Sequence, residues 1–150
     1  MVHGESRRDR GTTPPPAAAS RLRVLFASAE MHPFAKVGGL ADVCGALPKQ
    51  LVAMGHDVRV VIPAYAGLGG EPVGTIDLPF GRLTEHLVVR RLAVHDGVEV
   101  LTIGGPGWFE RRTPYGYQDH DVLPFVLFSL AVGALVARAR RRAPAGRTSA

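Results

Sequence analysis

Apolar residues recur in three different rhythms along the chain, and each predicts a different element. Residues 22–29 form a short apolar run with Arg23 as its only charge, suited to a buried strand, and a loop with Pro33 and Gly38-Gly39 follows. From Leu40 to Met54 the spacing changes to threes and fours. Leu40, Val43, Cys44, Leu47, Leu51 and Met54 mark one face of a helix that Gly55 ends. Pro48 is expected to kink or break it, because proline has no N–H to donate and crowds the preceding turn. His56 to Ile62 then reads as a second strand stopped by Pro63. Strand, loop, helix and strand in succession form a βαβ unit, right-handed by the general rule and normally part of a parallel sheet with helices on both faces.

Farther along, His86–Val94 and Val98–Ile103 are β-rich runs flanking Asp96-Gly97, a dipeptide that favours tight hairpin turns. Residues 104–121 are rich in glycine, proline and aromatics, the composition of a functional loop. Val122 to Ala137 carries no charge and is followed by Arg138, Arg140, Arg141 and Arg142. A membrane-spanning helix needs roughly 20 apolar residues, and Pro124, Ser129 and Gly133 weaken this one, so a buried helix of an α/β domain is expected instead. Residues 1–20 and 138–150 lack apolar periodicity and are expected to be a disordered leader and a disordered Arg-rich tail around a lobe at 21–137.

Composition changes this picture in two places. The net charge of +5 suggests nucleic acid, but it is unevenly placed. Residues 1–20 carry +1, residues 138–150 carry +5, and the lobe between them carries −1, so nothing in the lobe suits a phosphate-backbone binder and no nucleic-acid partner is expected. Cys44 is the only cysteine, which excludes an internal disulfide and points to a reducing, cytoplasmic setting. The six histidines are scattered, so no metal site is expected. The leader has no apolar core of the secretory kind.

The candidate chemistry lies in the segment from Glu30 to Val43. Two glycines at a helix start let backbone N–H groups approach an anion, the helix dipole adds positive potential, and Lys36 stands beside them in a chain with only one other lysine. These features make a diphosphate seat. The spacing is neither that of the Walker A loop nor the dinucleotide G-x-G-x-x-G. On the residues alone, an ordinary glycine turn with a solvated lysine accounts for the segment equally well.

The wording of the segment is more specific than its physics. Lys36-Val37-Gly38-Gly39-Leu40-Ala41-Asp42-Val43-x-Gly45-Ala46-Leu47-Pro48, with Glu30 and Pro33-Phe34 before it and Gly55-His56-Asp57-Val58-Arg59-Val60 and Pro63-x-Tyr65 after it, closely resembles the amino-terminal motif of bacterial glycogen synthases and plant starch synthases. The resemblance continues more weakly through Gly107-Trp108-Phe109-Glu110-Arg111 and Tyr115-Gly116-Tyr117 to Phe125 and Phe128-Ser129, covering about residues 22–137. It implies the first Rossmann-like lobe of a GT-B glycosyltransferase with an inserted β-hairpin. The implied activity is retaining transfer of glucose from ADP-glucose to the non-reducing end of an α-1,4-glucan, with no cofactor. By the same resemblance Lys36 contacts the donor phosphate, Gly38 and Gly39 turn N–H groups toward the diphosphate or donor sugar, and Glu30 and Asp42 line the glucan or sugar side. On the residues alone, Asp42 equally suits the first turn of a helix and Glu30 a solvated strand end.

Departures from the family pattern limit what carries over. Val37 stands where the family usually has threonine, and Leu123-Pro124-Phe125 replaces an Arg-Phe, leaving Asp119 and Asp121 as alternative registers for a catalytic cleft aspartate. The family's next motif and its second lobe have no counterpart. Domain-like patterning stops near Val136, the expected result of a truncated or frameshifted gene. Three readings follow: a synthase fragment inactive alone, a nucleotide-sugar or glucan binding module, and a small membrane-associated protein.

Overall fold

A computed structural model describes residues 20–110, 112, 114–115 and 122–142. Strand β1 (Arg23–Ala27) leads through a loop to helix α1 (Gly39–Ala53) and back to strand β2 (Asp57–Pro63). Strands β3 (Glu71–Phe80), β4 (Leu83–His95) and β5 (Val98–Gly104) follow, and helix α2 (Val122–Arg142) closes the described chain. The five strands form one sheet in the order β1-β2-β5-β4-β3.

The sheet is mixed, which corrects the expectation of a parallel one. β1 pairs with β2 and β2 with β5 in parallel, whereas β4 lies antiparallel to both β5 and β3. The hairpin at Asp96-Gly97 forms where the dipeptide places it, because both residues adopt the positive φ that a type I′ turn requires, 48° and 78°. It is not a simple insertion, however. Its second arm, β5, is a strand of the parallel core, and its first arm continues the sheet outward to β3, a strand for which the apolar pattern gives no clear signal.

Successive residues of β2 and β5 alternate between the two faces of the sheet. Val60 and Ile62 stand beside Val100 and Thr102 on one face, and all four are fully buried. On the other face Arg59 and Leu101 line a groove together with Leu135 and Ala139 of α2. α1 covers the first face.

α1 ends as predicted, with Gly55 at φ 91° and its N–H donating to the Val52 carbonyl. The buried face matches the predicted one only in part, at Cys44 and the half-buried Leu51. Ala41, Cys44, Gly45 and Pro48 face inward, while Leu40, Val43, Leu47 and Met54 are exposed. Small residues win because the 31–35 loop lies directly on the helix: a Cβ on Gly45 would sit 3.1 Å from the His32 carbonyl oxygen. Pro48 does not interrupt the helix and is among the fully buried residues. Lys49, the second lysine, pairs with Asp96 and ties α1 to the hairpin turn.

α2 also departs from expectation. It runs through Arg138 to Arg142, past the expected start of the tail, and the Arg138 guanidinium donates to the Thr75 carbonyl at 2.8 Å. Leu127, Phe128 and Ala131 are buried, but Val122, Leu123, Val126 and Leu130 are not. Among the described residues it is therefore a helix buried on one face only. By length and composition a 20-residue stretch of it is apolar enough to cross a membrane.

The loop after β2 is seated on the end of β5 through a close approach at Gly104. A Cβ added at this glycine would lie 2.7 Å from the Ala64 Cβ, and the Ala64 N–H donates to the Ile103 carbonyl. Gly104→Ala is expected to destabilise the fold by about 1–3 kcal/mol through overpacking, read as a lower urea midpoint; an unchanged midpoint would show that the rim yields freely.

Candidate functional site

The three parallel strands end on one rim, where ligands of open α/β sheets are usually held. Three loops leave that rim, after Ala27, Pro63 and Gly104, and they are bonded to one another. The Ser28 N–H donates to the Val61 carbonyl at 3.1 Å, and the Tyr65 hydroxyl donates to the Ala29 carbonyl at 2.8 Å. The Tyr65 ring meets the edge of Phe109 with centroids 5.7 Å apart. Burial, with Tyr115 and Glu30 nearby, raises the Tyr65 phenol far above the ordinary 10, so it remains a donor.

Glu30 is the hub of this rim. It is 2% exposed, and its Oε2 accepts the N–H groups of Val37 at 2.8 Å and Gly38 at 3.0 Å. The Tyr115 hydroxyl also donates to its carboxylate. Burial pushes the carboxyl up, but the hydrogen bonds from Gly38, Val37 and Tyr115 outweigh it and hold the group below the ordinary 4.5. The loop between is closed on itself by Met31 N–H to Ala35 carbonyl and Ala35 N–H to Met31 carbonyl, both 2.9 Å, and fixed to α1 by His32 N–H to Ala41 carbonyl at 3.0 Å.

Past this loop, Gly38 stands at the N-cap of α1 in an extended conformation and no side chain caps the helix. First-turn N–H groups without a side-chain acceptor leave positive potential facing outward. Space is open there, because a Cβ on either Gly38 or Gly39 would meet nothing within 4 Å. Lys36 lies alongside, its Nζ 2.6 Å from Asp42 Oδ1, with the two side chains 46% and 58% exposed. The Lys36 hydrogen bond, working against slight desolvation, keeps the Asp42 carboxyl below its ordinary value, with the Lys36 and His32 charges adding to it. The result is an open helix N-terminus, flanked by an ammonium group that one carboxylate already partners.

Five of the residues singled out from sequence thus come together, though not all in the orientation expected. Lys36, Gly39 and Asp42 face the opening. The Gly38 N–H points to Glu30, away from a ligand in the opening, and Glu30 lies under the loop, not on an open wall. A buried carboxylate satisfied by two backbone N–H groups is a scaffold for the glycine turn. Asp119 and Asp121 lie outside the described residues. Tyr65 and Tyr115 join the site without having been singled out from sequence; their signals were Pro63-x-Tyr65 and the aromatic content of the 104–121 loop.

The sequence profile of the starch synthase catalytic domain matches residues 23–145. The chain belongs to that family. Among the relatives of this starch synthase family chain, glycogen synthase of Geobacillus thermodenitrificans is 41% identical over 117 residues, which is 74% of this chain and 24% of the relative. Glycogen synthase of Thermus thermophilus is 42% identical over 111 residues, 73% of this chain and 24% of the relative. The chain therefore spans about a quarter of the length of the curated relatives it matches. In three dimensions it is similar to the catalytic domain of starch synthase IV from Arabidopsis thaliana bound to ADP and acarbose. That similarity has a TM-score of 0.69 and 32% identity, and covers 80% of this chain and 26% of the other. The fold is thus an α/β partial lobe of the synthase catalytic domain.

Proposed function

We propose that this chain is part of the first lobe of a GT-B retaining glucosyltransferase. In this reading it binds the diphosphate of ADP-glucose and, with a second lobe, moves glucose to the non-reducing end of an α-1,4-glucan. The observation that carries the reading is the meeting of Lys36 with the uncapped N-terminus of α1 at the carboxyl rim of the parallel strands. It is supported by the similar starch synthase IV catalytic domain, whose structure is of a complex with ADP and acarbose. A diphosphate in the opening takes the place of Asp42 beside Lys36 and accepts from first-turn N–H groups, while Glu30 keeps the glycine turn in shape from below. Asp119 or Asp121 is the proposed cleft aspartate.

Retaining transfer requires the leaving phosphate, the acceptor hydroxyl and charge-stabilising donors to be held together. The chain corresponds to about a quarter of its relatives, which favours a second reading in which it binds the donor and transfers nothing alone. One pair of measurements tests both. An ADP titration followed by amide chemical shifts is expected to move Gly39, Leu40 and Lys36, and incubation of the 150-residue chain with radiolabelled ADP-glucose and glycogen is expected to incorporate no label. Shifts confined to other parts of the chain would remove the donor site, and robust incorporation would remove the inactive-fragment reading.

A further inference from the structure

All five strands and the C-terminal half of α2 meet in one groove on the α2 face of the sheet, with a volume of about 380 Å³. That is within the range of small-molecule sites, roughly 300–1,000 Å³. The floor is apolar, with Ile76, Val89, Leu101 and Leu135. Among the described residues the charged lining is Arg23, Arg59, Arg91 and Arg138 against Glu99, four positive charges to one negative. Residues 21–137 carry −1 in sum, so this excess is local and not a share of a basic lobe. An adjoining groove adds Arg140 and Asp57, whose charges cancel.

One carboxylate fixes two of these arginines. Arg59 Nε and Arg91 Nε donate to the two oxygens of Glu99, each at 2.8 Å. Each guanidinium uses its single Nε–H there and keeps two NH2 groups, one of which in Arg91 lies 3.5 Å from Glu71. The Glu99 side chain is 22% exposed and those of Arg59 and Arg91 are 50% and 46% exposed, so the carboxylate lies beneath and the cations face solvent. Arg138 enters from α2, where one of its NH2 groups donates to the Thr75 carbonyl at 2.8 Å. Arginine in the last turns of a helix is favoured by the helix dipole, which accounts for Arg138 but not for the three arginines on strands. Guanidiniums already held in place, with donors to spare, bind phosphate oxygens at little ordering cost. The groove lies toward the start of β1, β2 and β5, the opposite end of these strands from the diphosphate seat.

We propose that this groove is a second anion site that takes a small phosphate ester, its phosphate among Arg59, Arg91 and Arg138 and its organic body on Leu101 and Leu135. A phosphate is favoured over a carboxylate because up to two negative charges on three acceptor oxygens match an excess of three positive charges. An organic ester is favoured over bare phosphate because the floor beneath the guanidiniums is apolar. The chain's own ends do not complement the groove. Residues 1–19 carry Arg7, Arg8 and Arg10 against Glu5 and Asp9, and residues 143–150 carry Arg147 and no acid, so the side chains of each sum to +1. The inference stands on the sheet and α2 and does not depend on donor binding at the start of α1.

The test is titration of the full 150-residue chain with phenyl phosphate, followed by amide chemical shifts. Saturable shifts are expected at Arg59, Thr75 and Leu101. Inorganic phosphate should move the same amides with about tenfold lower affinity, since it has no body to bury on the floor. Arg59→Gln and Arg138→Gln are each expected to weaken phenyl phosphate binding by about tenfold. Glu99→Gln separates a binding role from a structural one: removal of the internal anion is expected to strengthen binding several-fold, whereas an ion cluster serving stability alone gains nothing from its loss. Should Glu99→Gln fail to fold, Arg138→Gln carries the test, because Arg138 is exposed and its loss leaves both Glu99 pairs intact. Shifts confined to Gly39 and Leu40 would place the phosphate in the diphosphate seat instead. That result, shifts that do not saturate, equal affinity for the two probes, arginine variants that bind as the parent does, or weaker binding by a folded Glu99→Gln would each overturn the inference.

Discussion

Replacing Lys36 with alanine is expected to weaken ADP binding by about tenfold to a hundredfold, the worth of one charge-assisted hydrogen bond. The effect should fall on affinity and not on folding, because the Lys36 side chain is nearly half exposed and its bonded partner in the structure is Asp42. Asp42→Asn is the informative companion. In the unliganded chain the Asp42 carboxylate accepts from the Lys36 ammonium and is held ionised by it, so an arriving diphosphate competes with a fixed internal anion. The neutral amide is expected to strengthen ADP binding several-fold and to leave the dependence on Lys36 intact. Titrations at low and high salt check both, since screening weakens an exposed contact of this kind. If Lys36→Ala binds ADP as the parent does, the lysine is a solvated surface residue and the seat consists of helix dipole alone.

Removal of the Glu30 carboxylate is the second large effect. Glu30→Ala leaves two N–H groups and the Tyr115 hydroxyl without their acceptor under a buried loop, at a cost of about 3 kcal/mol. For a domain of this size that is a fall of roughly 10 °C in Tm. The sign of the pH dependence follows from the lowered carboxyl. The folded state binds this proton more weakly than the unfolded chain, so the stabilisation is complete above the ordinary value of 4.5 and is lost as pH falls through the folded value below it. Glu30→Gln keeps the shape and one acceptor but cannot titrate. Its melting temperature should lie below that of the parent at neutral pH and converge with it in acid. Parallel curves for the two proteins from pH 7 to pH 3 would show that another group carries the acid sensitivity, and loss of the Gly38 and Gly39 amide shift dispersion in Glu30→Ala would mark the glycine turn as the part that comes apart.

Local chemistry is what the sequence by itself determined. Gly55 ends α1 because a left-handed residue is needed there, Asp96-Gly97 turns the hairpin because both residues tolerate positive φ, and Lys36, Gly38, Gly39 and Asp42 share one helix start because they are neighbours along the chain. The motif wording was enough to point to the family. Features that depend on which distant segment lies opposite were not legible. The apolar spacing of α1 named Leu40, Val43 and Leu47 as its inner face, whereas the close approach of the His32 loop to Gly45 turned the small residues inward. α2 has an apolar stretch long enough to be buried all round, but the sheet covers only one side of it. Glu30 could have been a sugar contact or a solvated strand end. Only the tertiary structure decided that it lies beneath the glycine turn, because a carboxylate's role is set by the donors that folding brings to it, and its two backbone donors lie seven and eight residues away along the chain.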